Sequence, residues 1–191
     1  DSKPSGTAAG RHRQNLIWAL ALTSAFMAIE VVGGLWTGSL ALLADAAHML
    51  TDAGGLALAL LAIRFSERPR TPQKTYGYVR MEVLSALTNA VVLLLLTVYI
   101  FYEAYQRYLN PPEILGVPML AVAAAGLVVN LISMKLLAAG SKESLNVKGA
   151  YFEVLGDMLG SLGVLVASGI IIFTGWKLAD PLIGAGIGLL I

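Results

Sequence analysis

Two pairs of potential metal ligands stand out in the sequence. His48 and Asp52 are four residues apart, and so are Glu153 and Asp157. In a helix this spacing places both side chains of a pair on one face, about 6 Å apart along the axis. Each pair is therefore half of a possible four-ligand site. One imidazole and three carboxylates suit a tetrahedral divalent ion of the zinc type, and the chain has no Cys to supply a thiolate.

Further acidic residues accompany the two pairs. Three neighbouring carboxylates would repel one another, so a bound dication or shared protons must neutralise them. Asp45, three residues before His48, and Glu30 also fall within apolar runs. Asp45 is a ligand, a hydrogen-bond partner of the imidazole or a plain polar residue, and the sequence leaves these alternatives open. Glu30 either lines the same pathway or pairs with a neighbouring helix.

The elements that must position these residues are long apolar runs. The 191 residues are 57% apolar and 13% charged, with a mean hydropathy of +0.75. Soluble domains are about 45–50% apolar and about 25% charged, so this composition excludes a soluble domain, a nucleic-acid module and a disordered chain. The runs are rich in Leu and Ala and lack the alternation of membrane strands, which excludes a barrel.

We predict an all-α membrane protein, a bundle of six transmembrane helices, because a helix needs about 20 apolar residues to cross a bilayer. An N-terminal tail at 1–14 precedes the transmembrane domain at 15–191. The predicted spans cover about 15–36, 40–63, 82–106, 117–139, 147–175 and 181–191. The sixth run reaches Ile191 while still apolar, after about half of the length needed to cross. We therefore expect a sixth helix truncated at its C-terminal end.

The positive charges predict the orientation, since cytoplasmic loops carry an excess of Lys and Arg. With the N-terminus in the cytoplasm, only Arg107 and Lys177 lie on the opposite side. The other eleven lie on the cytoplasmic side: Lys3, Arg11, Arg13, Arg64, Arg68, Arg70, Lys74, Arg80, Lys135, Lys142 and Lys148. The tail and the loops at 64–80 and 140–148 are therefore predicted to face the cytoplasm.

Three stretches resemble the cation diffusion facilitator family, and within it the bacterial cobalt-zinc-cadmium resistance branch. They are SLALLADAAHMLTD at 39–52, TYGYVRMEVLSALTN at 75–89 and SLNVKGAYFEVLGDMLGS at 144–161. The resemblance covers nearly the whole chain from about Asn15. It implies a homodimeric six-span exporter of zinc and related metals in the bacterial inner membrane, driven by proton antiport. The family's transport site maps onto His48, Asp52, Glu153 and Asp157.

Two features depart from the family's pattern. Many zinc-transporting relatives carry His where this chain has Glu153, and a carboxylate there makes the site harder and more anionic. The loop FSERPRTPQKTYGY at 65–78 has no His, so we expect the second metal site of some relatives to be absent. The cytoplasmic C-terminal domain typical of the family is likewise expected to be absent from this chain.

Together these features predict a secondary transporter and not an enzyme, since the sequence has no Gly-rich phosphate loop and no nucleophile beside a base. We expect it to export Zn²⁺, or Co²⁺ or Cd²⁺, in exchange for protons by alternating access. Its partners would be metal ions, protons and membrane lipid, with no organic cofactor and no nucleic acid. Two alternatives stay open: a membrane sensor or structural subunit with protonatable buried acids, and an antiporter of small organic cations.

Overall fold

A computed structural model of the chain describes residues 13–51, 79–142 and 145–190. Every regular element in these ranges is helical, which confirms the predicted all-α fold. The helices are α1 (Arg13–Thr37), α2 (described over Leu40–Thr51), α3 (Val79–Leu109), α4 (Gly116–Ala138), α5 (Leu145–Thr174) and α6 (Ala179–Gly188). A short 3-10 helix, Gly140–Lys142, follows α4.

Four of the described helices are long and apolar enough to cross a membrane. Their apolar segments are Ile17–Thr37, Leu87–Leu109, Gly116–Ala138 and Val147–Thr174. The first of these, with 21 residues, is about 31 Å long, close to the ~30 Å hydrocarbon core of a bilayer. Half of the predicted second span, from Asp52 to residue 63, and most of the 64–80 loop lie outside the described residues. The count of six spans therefore stays a prediction.

The helices end at residues that interrupt regular backbone hydrogen bonding. Gly38, directly after α1, has a φ of +73°, a left-handed conformation that glycine adopts without strain. α3 ends just before Pro111 and Pro112, which have no N–H to donate to a helix. Pro181 lies in the first turn of α6, where the missing N–H has no partner to lose.

Buried side chains from all six helices form two apolar clusters, one toward each end of the paired helices α4 and α5, with a polar layer between them. The larger cluster, at one end, includes Leu42, Ile100, Met119, Val164 and Ile187. The smaller cluster, at the other end, comprises Ala19, Leu137, Val147 and Val154. The layer between them contains Asn130, Asp157 and Ser161, each at most 5% exposed. The fold thus buries polar groups at an intermediate depth of the bundle.

Candidate metal centre

The described part of α2 packs closely against α5, and Gly160 of α5 makes the close approach possible. A Cβ added at Gly160 would lie 2.0 Å from Asp45 Oδ1, so the carboxyl group of Asp45 occupies the space above this glycine. A Cβ added at Gly156 would lie 3.6 Å from His48 Nε2. The two helices therefore meet along the face that carries Asp45 and His48.

These two contacts define how α2 and α5 run past each other. Moving three residues along α2, from Asp45 to His48, corresponds to moving four residues back along α5, from Gly160 to Gly156. The helices are therefore antiparallel at this interface. Asp157, which is 5% exposed, follows Gly156 directly, so its backbone lies at the level of His48.

The predicted ligands differ in what the structure describes. His48 is half-buried, Asp157 is buried and Glu153 is exposed. Asp52 lies outside the described residues. Among the residues that are described, no three His, Asp or Glu side chains are close enough together to hold a metal ion. The four-ligand site therefore stays a prediction, supported by the packing of α2 on α5 at the level of His48 and Asp157.

The two additional acidic residues of the sequence prediction lie side by side in the bundle. Glu30 on α1 and Asp45 on α2 are 0% and 1% exposed, and their carboxyl groups interact with each other. Glu30 also interacts electrostatically with Asp157. Glu30, Asp45 and Asp157 therefore form one acidic layer that joins α1, α2 and α5. Burying so many carboxylates is costly unless protons or a cation neutralise them.

Two polar residues that the sequence did not assign to the site border this layer. The Asn130 side chain on α4 donates a hydrogen bond from Nδ2 to Ser161 Oγ, at 3.2 Å. Ser161 in turn lies beside Asp45. Its position four residues after Asp157 places both on one face of α5, which is the signal that would have identified it.

The chain is similar to known metal transporters over nearly its whole length. Residues 16–191 match the family of cation efflux transmembrane domains. The metal cation efflux system protein CzcD of Cupriavidus metallidurans is 52% identical over 180 residues, 94% of this chain and 57% of that protein. The zinc transporter ZitB of Escherichia coli is 48% identical over 179 residues, 93% of this chain and 57% of that protein.

A third relative extends the range of named substrates. The cadmium, cobalt and zinc/H(+)-K(+) antiporter of Bacillus subtilis is 42% identical over 184 residues, 95% of this chain and 59% of that protein. The chain thus spans little more than half of the length of each of these relatives.

Proposed function

The chain belongs to the cation diffusion facilitator family, and from this premise we propose that it exports divalent metal cations in exchange for protons. The family match and the similar proteins confirm the family membership that its three motifs indicated. Zn²⁺ is the first substrate we propose, with Co²⁺ and Cd²⁺ as further substrates. The names of two relatives support this choice, since ZitB is named for zinc and the B. subtilis antiporter for cadmium, cobalt and zinc.

The observation that carries the proposal is the close packing of α2 on α5 beside His48. Asp52 follows His48 by four residues and Glu153 precedes Asp157 by four. Since the helices are antiparallel, one further turn along α2 and one turn back along α5 would bring Asp52 level with Glu153. The four side chains would then surround one point, with one nitrogen and three oxygens for a tetrahedral ion. Glu153, which is exposed, would turn inward when the ion binds.

Metal and protons compete for the same four groups, because ligation requires ionised carboxylates and a neutral imidazole. When the site faces the cytoplasm, metal displaces protons. When it opens to a more acidic exterior, protons displace the metal, and the metal leaves. Coupling therefore needs no separate proton site. Glu30 and Asp45 offer oxygen ligands next to this site, on the side of the first residues of α2, and we assign them to the exit pathway.

The membrane location, the orientation and the oligomeric state of the protein belong to the same proposal. We propose that it lies in the bacterial inner membrane with its N-terminus in the cytoplasm, as the distribution of Lys and Arg favours. The complete protein would act as a homodimer and as a transporter, not an enzyme. Alternating access would consist of rocking of the helices about the fixed site.

Exchange in reconstituted vesicles tests the proposal. Liposomes that contain the purified protein should take up zinc when their lumen is more acidic than the medium. Uptake should stop in Asp52→Ala and Asp157→Ala. The control is Glu113→Gln, because Glu113 is 89% exposed and pairs with Lys177, away from the acidic layer. Normal exchange in both aspartate variants would refute the site. Transport of an organic cation in place of zinc would favour the organic-cation alternative.

A further inference from the structure

A buried carboxyl group from α6 lies against the first turn of α2. Asp180 is 0% exposed. Its Oδ1 accepts hydrogen bonds from the Ser39 hydroxyl at 2.6 Å and from the Ala41 N–H at 3.1 Å. Its Oδ2 accepts a hydrogen bond from the Leu40 N–H at 2.8 Å. These residues are about 140 positions apart in the chain, so the contact joins two helices that are distant in sequence.

The carboxyl group of Asp180 accepts hydrogen bonds from N–H groups at the start of α2. The first N–H groups of a helix have no partner within the helix, and negative charge is favoured there by the helix dipole. Ser39 Oγ accepts a hydrogen bond from the Leu42 N–H at 3.1 Å, so Ser39 caps α2 from within the chain. Asp180 supplies acceptors for the two preceding N–H groups, those of Leu40 and Ala41, which lie inside the bundle and away from water.

Arg107 and Gly184 also contact the region where Asp180 meets the first turn of α2. Arg107 of α3 lies with Nη1 3.7 Å from Asp180 Oδ2 and donates from Nε to Glu103 Oε1 at 2.9 Å. Arg107 also donates a hydrogen bond to the Gly38 carbonyl. On α6, a Cβ added at Gly184 would lie 3.2 Å from the backbone N of Ala41. The first turn of α2 is thus fixed against both α3 and α6.

From this geometry we propose that Asp180 is a positioning residue for the metal site. The proposal rests on the proposed function, since the site it positions is the one on α2 and α5. Asp45 and His48 lie five and eight residues after Leu40, about 7.5 and 12 Å along a continuous helix. A shift or rotation of the first turn of α2 is therefore carried to both side chains. Asp180 touches no metal and acts only through the placement of α2.

The test compares two changes at Asp180 with a matched control. Asp180→Ala removes all three acceptor contacts, whereas Asp180→Asn keeps one carbonyl oxygen. Glu113→Gln is the control, because it removes an exposed ion pair between the α3–α4 connection and Lys177 and leaves α2 untouched. Zinc binding to purified protein is measured by calorimetry, together with the melting temperature. We expect the Kd for zinc to rise about 10–100-fold in Asp180→Ala, as for other groups that orient metal ligands, and to rise less in Asp180→Asn.

A second measurement reports on α2 without zinc. The chain has no Cys, so single cysteines at the exposed positions Leu50 on α2 and Leu162 on α5 can carry spin labels. Their distance distribution should shift or broaden in Asp180→Ala. A pair at Leu131 on α4 and Leu162 should stay unchanged. If Asp180→Ala does not fold, Asp180→Asn, which keeps one acceptor oxygen and leaves the Ser39 cap on the Leu42 N–H in place, replaces it and should give a smaller effect in the same direction.

The outcomes separate the two proposals. A lower melting temperature with unchanged Kd and unchanged α2–α5 distances would overturn the positioning role, since it would describe a merely structural residue. If the unaltered protein neither binds nor exchanges zinc, the proposed function fails, and the spin-label distances still decide whether Asp180 fixes α2.

Discussion

Replacing Gly160 by alanine tests the α2–α5 interface with a single methyl group. The added Cβ would lie 2.0 Å from Asp45 Oδ1, whereas ordinary contacts begin at 3.4 Å. The Asp45 carboxyl group, or α2 as a whole, must therefore move by about 1.4 Å. Overpacking of this kind costs about 1–3 kcal/mol. A displacement of about 1 Å near a site can reduce its rate by about 100-fold.

Zinc exchange in vesicles and thermal unfolding measure the two effects of Gly160→Ala. We expect exchange to fall by about 10–100-fold and the melting temperature to fall. Gly169→Ala is the matched control, because it adds the same methyl group to α5 and no described atom lies within 4 Å of it. Gly156→Ala should behave like this control, since its Cβ would lie at an ordinary 3.6 Å from His48 Nε2. Exchange and stability of Gly160→Ala equal to those of Gly169→Ala would refute the close packing of α2 on α5.

Three further predictions address the surrounding bundle and the proposed chemistry. Gly126→Ala should destabilise the protein by about 1–3 kcal/mol, since its Cβ would lie 2.6 Å from the Phe26 ring; an unchanged melting temperature would contradict the packing of α1 on α4. Glu30→Gln should slow zinc exchange by about tenfold or more. It should not lower the melting temperature, because a neutral amide costs less to bury than a carboxylate. Unaltered exchange would show that Glu30 does not belong to the pathway. Zinc affinity should fall as pH falls, by about tenfold per pH unit for each proton displaced. Calorimetry measures this dependence. A Kd that does not change between pH 6 and 8 would contradict competition between metal and protons.

The helical fold could be predicted because its signal is local. Apolar runs of about 20 residues need no knowledge of distant parts of the chain, and breakers such as Gly38 and Pro111 mark the ends of the helices. The ligand pairs were also accessible, because a spacing of four residues fixes a shared helix face whatever the neighbouring helix is. The structure places His48 and Asp157 at one level of the α2–α5 interface, and the site formed by all four ligands stays a prediction.

The contacts between helices could not be predicted in the same way. Asp180 lies at the very start of its helix, one residue before the predicted sixth span, and its partners Ser39 and Leu40 are about 140 residues away. Nothing in the local pattern distinguishes it from a residue of a hydrated loop. The spacing of four residues places Ser161 on the same face of α5 as Asp157, but its position beside Asp45 depends on the packing of α2 on α5.

X-ray absorption at the zinc edge tests most directly whether the two ligand pairs share one ion. Zinc bound to the unaltered protein should show one nitrogen and three oxygen ligands at about 2.0–2.2 Å. In His48→Ala the nitrogen ligand should be lost. A zinc shell without nitrogen in the unaltered protein, or one that is the same in His48→Ala, would contradict the site formed by α2 and α5.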